Sequence, residues 1–169
     1  ANNHTELECQ SASDIFTAFN DWLTTTTVSG GCNTSLTNDA TAAPSACGGS
    51  VTITWTASSA CQSDVTCSAN FDVNYSPTVV INCAEDQTEP ACQSQTAIDA
   101  AFATWLTKTT ASGGCNASLS NNSTSAPSAN GGSVTVTWTV TSDCESPVNC
   151  IATFTVDAAT SVFTVNPSK

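Results

Sequence analysis

The chain is written twice, and that limits every fold open to it. Cys9 to Asn33 reads CQSASDIFTAFNDWLTTTTVSGGCN, and Cys92 to Asn116 reads CQSQTAIDAAFATWLTKTTASGGCN, at an offset of 83 residues without a gap. The same offset relates GGSVTITWT, from Gly48, to GGSVTVTWT, from Gly131. Each copy must fold within about 80 residues, a size at which buried apolar surface is marginal. A function spread over two copies also points away from a single active site.

Small cores of this kind are often supplemented by disulfides in exported proteins, and ten cysteines in 169 residues fit that solution. The even count suits a disulfide set better than a lone catalytic thiol. The expectation is therefore an extracellular protein whose chain starts after processing, since no signal peptide is visible at Ala1. No apolar run is long enough to span a bilayer. Two basic side chains, Lys108 and Lys169, stand against 14 acidic ones, for a net charge of −12. Phosphate neutralisation needs clustered cations, so nucleic acid is an unsuitable partner, and anionic membranes are disfavoured likewise. A trypsin-like protease would find one internal site, at Lys108. Abundant Ser, Thr and Asn do not make the chain disordered: 40% hydrophobic residues, four of them Trp, recur with regular periods.

Those periods assign the elements. Residues 1–8 read as a polar arm holding the only histidine, His4, as a solvated side chain. Ile15, Phe19, Trp22 and Leu23 fall on one helix face, and Ile98, Phe102, Trp105 and Leu106 repeat the phase. Ser13 and Thr96 are the candidate N-caps, and the double glycines Gly30-Gly31 and Gly113-Gly114 follow the helices. Alternation then predicts a strand with Val51, Ile53, Trp55 and Ala57 inward, matched by Val134, Val136, Trp138 and Val140. A second strand turns Ala69, Phe71, Val73 and Tyr75 inward, matched by Ala152, Phe154 and Val156. Weak strands near Ser35–Thr41 and Ser118–Thr124, and third strands at Thr78–Cys83 and Ser161–Asn166, complete the reading. All four Trp side chains fall on apolar faces, which favours core packing over sugar stacking.

Comparison of the copies prunes the cysteine pairings. Cys47 and Cys83 have asparagines, Asn130 and Asn166, as counterparts, and two cysteines lost together suggest one bond, Cys47–Cys83. The rest are best paired within copies as Cys9–Cys32, Cys61–Cys67, Cys92–Cys115 and Cys144–Cys150. The first pair in each copy would bracket the helix. Closing such a loop is worth roughly 3 kcal/mol in the chain-entropy model. Zinc is disfavoured, because no paired CxxC and no companion histidine occur.

The combined pattern CQSQTAIDAAFATWL, SGGCNASL, GGSVTVTWTVTSDC and ATFTV, present twice, resembles the HYR-like (hyalin-repeat-like) modules of secreted bacterial surface adhesins of Bacteroidetes type. The resemblance covers nearly the whole chain. It implies a mainly β fold of two tandem Ig-like β-sandwich repeats, each carrying one short disulfide-bracketed helix. It also implies a stalk or adhesive role without catalytic residues. On that division residues 1–8 are an arm, 9–86 the first repeat and 87–169 the second, ending in strand 161–166. Asn130 and Asn166 depart from the cysteine pattern, as does the presence of two copies where longer arrays are usual.

An enzyme is not expected: the sequence lacks GxSxG, HExxH, a P-loop, any arginine and a Cys–His pair. No cofactor is expected either. The nearest candidate is Ca²⁺ at the acidic linker, through Glu85, Asp86 and Glu89, against a default of solvated carboxylates. Sequons at Asn3, Asn33, Asn74, Asn116, Asn121 and Asn122 permit glycosylation. The threonine rows Thr52/Thr54/Thr56 and Thr135/Thr137/Thr139 offer a face to glycans or ice, again against the plainer reading of an exposed strand face. Each copy supplies fewer strands than an Ig-like sandwich uses, so open edges are expected, and open edges recruit strands. The leading expectation is a surface filament of copies joined head to tail, with Ser161, Val162, Phe163, Thr164, Val165 and Asn166, or the N-terminal arm, completing a neighbour's sheet. The alternatives are a non-polymerising stalk fragment of a large adhesin, or a module that binds surface glycans.

Overall fold

Both copies of the Ile/Phe/Trp pattern fold as helices of 12 residues: α1 spans Ala12–Leu23 and α2 spans Gln95–Leu106. The structure, a computed structural model, describes residues 1–160. The helices start earlier than Ser13 and Thr96 would set them. Ser11 and Ser94 hold extended backbone and accept the N–H of Asp14 at 3.1 Å and of Ala97 at 3.2 Å. A capping hydroxyl must stand ahead of the first turn to reach a free N–H three residues on.

The chain is mainly β and divides into two units, Ala1–Thr78 with Gly114–Asn116, and Val79–Gly113 with the segment from Ala117 onward. In the first unit β1 (His4–Glu6), β2 (Ser35–Asn38), β3 (Gly49–Ser59) and β4 (Gln62–Val73) form one sheet in the order β1-β4-β3-β2. β1 runs parallel to β4, whereas the β2–β3 and β3–β4 pairs are antiparallel. The second unit holds β5 (Val80–Asn82), β6 (Gln87–Glu89), β7 (Thr110–Ser112), β8 (Ser118–Asn121), β9 (Gly132–Thr141) and β10 (Val148–Val156). Its large sheet has the equivalent order β6-β10-β9-β8, and β5 pairs with β7 in a separate two-stranded sheet.

Two expectations change here. Residues 1–8 are not a free arm, because His4, Thr5 and Glu6 pair with Phe71, Asp72 and Val73. The same edge position in the second unit is taken by the acidic linker, whose Gln87, Thr88 and Glu89 pair with Phe154, Thr155 and Val156. Arm and linker are thus the same element, although the sequences ANNHTELE and AEDQTEPA share little. The third strand of the first copy also joins the second unit instead of the first, as β5.

Alternation along β3 and β4 sends Ile53, Trp55, Ala69, Phe71 and Val73 to the face covered by Ile15, Phe19 and Trp22 of α1. In the second unit Val136, Trp138, Ala152, Phe154 and Val156 meet Ile98, Phe102 and Trp105 of α2. The helical Trp stands edge-on to the strand Trp in each unit, at centroid distances of 5.0 Å for Trp22–Trp55 and 5.1 Å for Trp105–Trp138. Each buried side chain of this size contributes about 1.5–3 kcal/mol, and an edge-on aromatic pair about 0.5–1.5 more. Tyr75, expected inward, lies past the end of β4 and is 78% exposed.

Candidate functional site

The cysteines bond differently from the within-copy expectation. Cys9 bonds Cys115, Cys32 bonds Cys61 and Cys83 bonds Cys150. Cys47 and Cys144 are disulfide-bonded as well, while Cys67 and Cys92 are free, exposed thiols. The expected pairs Cys9–Cys32, Cys47–Cys83, Cys61–Cys67, Cys92–Cys115 and Cys144–Cys150 are therefore replaced. So is the idea that each helix is bracketed by its own bond.

Backbone geometry gives the reasons. Cys61 lies in the β3–β4 turn, but Cys67 lies well along β4, opposite Trp55. Six residues of extended chain separate them by roughly 20 Å, whereas disulfide Cα atoms stand at most about 7 Å apart. Cys32 is held at that turn instead. Its N–H donates to Ser59 Oγ at 3.0 Å and its carbonyl accepts the Ala60 N–H at 2.9 Å, leaving the Cys32 and Cys61 Cα atoms 5.7 Å apart. Cys83 directly follows β5, and pairing of β5 in the second unit carries it to Cys150, with a Cα separation of 5.9 Å. Cys115 belongs with Gly114 and Asn116 to the first unit, where the Gly114 N–H donates to Pro77 O at 2.7 Å. There its sulfur meets that of Cys9, at a Cα separation of 4.9 Å.

The first unit also carries a groove of about 260 Å³. Thr26, Thr27, Val28 and Ser29 form one wall, and Leu36, Trp55, Val65 and Cys67 contribute to the rest. Among the described residues no strand pairs with Thr27–Ser29. The counterpart segment of the second unit is β7, and β5 lies on it in antiparallel register, Val80 opposite Ser112 and Asn82 opposite Thr110. There Val79 and Ala84 are buried, and the Ala84 N–H donates to the buried Thr109 Oγ1 at 3.0 Å. Thr26, the counterpart of Thr109, is half-buried.

The acidic linker does not converge on one point. Asp86 Oδ1 accepts the Thr153 N–H at 2.7 Å, and the Glu85 carbonyl accepts the Trp105 indole N–H at 2.8 Å. Glu89 accepts from Gln93 at 3.0 Å and Gln87 at 2.7 Å, and these bonds, Gln93 foremost, hold its carboxyl below its ordinary value. Among the described residues no group of three His, Cys, Asp or Glu side chains comes together. Position for position the first copy does the same with Asn3 and Glu6: Asn3 Oδ1 accepts the Asn70 N–H at 2.9 Å, and Gln10 and His4 hold the Glu6 carboxyl low. His4 keeps part of its side chain exposed and is also engaged, 2.6 Å from Glu6 and stacked on Phe71 at 5.0 Å.

All six sequon asparagines are exposed. Asn33 and Asn116 stand in left-handed turns, at φ 50° and 52°, and Asn121 and Asn122 lie at the end of β8. The Oδ1 of Asn3 and that of Asn122 each accept a backbone N–H, from Asn70 and from Thr137. The threonine rows point away from the cores and are tied across strands, Thr52 to Asn70 at 2.8 Å and Thr135 to Thr153 at 3.2 Å. Ser161–Asn166, the expected donor strand, lies outside the described residues.

Fold and site together define a mainly β, disulfide-bonded tandem-repeat protein. Its bonds fit an extracellular setting, and among the described residues no helix is long and apolar enough to cross a membrane. Neither the family models nor the curated proteins give a match to this chain.

Proposed function

We propose that this chain is a non-enzymatic structural protein of a cell surface, whose repeats assemble head to tail by sharing strands. The observation that carries this reading is the unequal state of one edge in the two copies. Thr110–Ser112 pairs with a strand, and among the described residues Thr27–Ser29 pairs with none. An open edge beside an apolar groove is a site for strand addition, and a head-to-tail contact of that kind does not close on itself. The HYR-like resemblance supports an adhesive or stalk role. The Ig-like sandwich that it implies supports the reading less than the repeat does, because α1 and α2 cover the sheet faces where a second sheet would pack. Within copies of this chain the donor is Ser161–Asn166, the sequence counterpart of the segment that contains β5.

Negative-stain imaging of the purified chain, with and without Ser161–Lys169, tests this. Filaments are expected from the full chain and short particles from the truncated one. Equal filaments from both would sink strand donation by that segment.

A further inference from the structure

We infer that the groove beside Thr27–Ser29 is a docking site for an extended segment ending in cysteine, of the Val79–Cys83 type, supplied by another repeat and sealed by a disulfide to Cys67. The inference deepens the strand-sharing reading and rests on it for the identity of the partner as a repeat.

The occupant is specified by the second unit, where the same site is filled. β5 lies on β7, Val79 is buried, Ile81 packs against the core, and Cys83 bonds Cys150. Shifting each of these positions by the repeat offset converts β7 into Thr27–Ser29 and Cys150 into Cys67. Among the described residues the first unit thus presents an unpaired edge, an apolar groove and a free sulfur in the arrangement that holds a strand in the second. Ala1, the counterpart of Ala84, has its amino nitrogen 3.9 Å from Cys67 Sγ.

The other free thiol obeys the same rule. Cys92 is the counterpart of Cys9, which bonds a cysteine of the following copy, Cys115. Their backbones already agree, at φ 67° for Cys92 and 63° for Cys9. Both free cysteines are therefore counterparts of cysteines whose bonds join one copy to the other.

The chemistry is a thiol oxidation. The Cys67 and donor thiols lose two protons and two electrons as their S–S bond forms, and an external small-molecule disulfide takes these up as two thiols. The donor must carry cysteine where the second copy has Asn166, which separates a sealed donor from Ser161–Asn166.

The test uses the full chain and a synthetic peptide of Pro77–Cys83 whose cysteine carries glutathione. Cys67 thiolate attacks the peptide sulfur, the peptide–glutathione bond breaks, and glutathione leaves as the thiol. Coupling at Cys67 is expected at least tenfold faster than with a scrambled peptide of the same composition, and tenfold faster than at Cys92. The variant Ser29→Pro, which removes an edge N–H, is expected to abolish that advantage with an unchanged far-ultraviolet spectrum; Thr27→Pro serves if Ser29→Pro misfolds. Equal rates for matched and scrambled peptides, or an advantage that survives loss of the edge, would overturn the inference. Filaments without selective coupling defeat the sealed groove alone, whereas selective coupling without filaments defeats the assembly reading and leaves the groove standing.

Discussion

Replacing Cys83 and Cys150 together by serine removes the bond that fixes β5 in the second unit. The two residues are 67 positions apart, and closing a loop of that length is worth about 4 kcal/mol in the chain-entropy model. For a chain of this size 1 kcal/mol moves Tm by about 2–4 °C, so the double-serine variant should melt about 8–16 °C below the parent. The matching pair Cys32→Ser/Cys61→Ser opens a loop with a separation of 29 and should cost about 0.7 kcal/mol less. Thermal and urea unfolding followed by circular dichroism, without reductant, measures both. Non-reduced peptide mapping of the parent is the companion assay, with a Cys83–Cys150 peptide expected. A penalty under about 1 kcal/mol for the first variant would refute the loop-closure reasoning. A Cys144–Cys150 peptide would refute the bond assignment itself.

The remaining predictions concern each copy alone. Phe154→Ala and Phe71→Ala each empty a fully buried position and should each cost about 3–5 kcal/mol in denaturant unfolding. Ser11→Ala and Ser94→Ala remove the capping hydroxyls, at about 1 kcal/mol each, while Ser13→Ala should be nearly silent. Gly48→Ala should destabilise by more than 1 kcal/mol, since φ is +116° and a Cβ would stand 2.7 Å from Tyr75 Cα. The Glu6 and Glu89 carboxyls are held below their ordinary value of 4.5 by glutamine hydrogen bonds. A depressed folded value contributes stability that is complete above the unfolded value and is lost as pH falls through the folded one. Stability should therefore drop on the acid side, and Glu6→Gln with Glu89→Gln should flatten that slope in a pH series of urea melts.

The local elements were legible because each side chain reports its own face. Ile15, Phe19 and Trp22 mark a helix stripe, and Ile53, Trp55, Phe71 and Val73 mark strand faces, in both copies; all of them are buried. What escaped was pairing between segments that share little sequence. His4–Glu6 and Gln87–Glu89 occupy the same edge, yet a three-residue parallel strand is held by backbone bonds that leave almost no side-chain pattern. The recoverable signal lay in Thr5-Glu6 and Thr88-Glu89, with Gln10 and Gln93 four residues beyond the glutamates. β5 was legible as a strand but not as a member of the second unit, because its partner β7 has no apolar alternation to read.

Cys47 and Cys83 show why the bond map needed three dimensions. Both become asparagine in the second copy, and joint loss implies mutual bonding only if every bond closes within one copy. Cys83 breaks that premise by bonding Cys150, a residue of the following copy. Once a bond runs from one copy to the next, the counterparts of its two ends, Asn166 and Cys67, are not each other's partners. Asn166 and the free Cys67 are then the counterparts of the two ends of one bond, Cys83–Cys150, not two separate accidents. A conservative reading of Cys67 as a spare thiol explains its exposure but not its position, which is that of Cys150. Strand edge, groove and sulfur occur together in the first unit because the repeat writes them together, and in the second unit the same three features hold a strand.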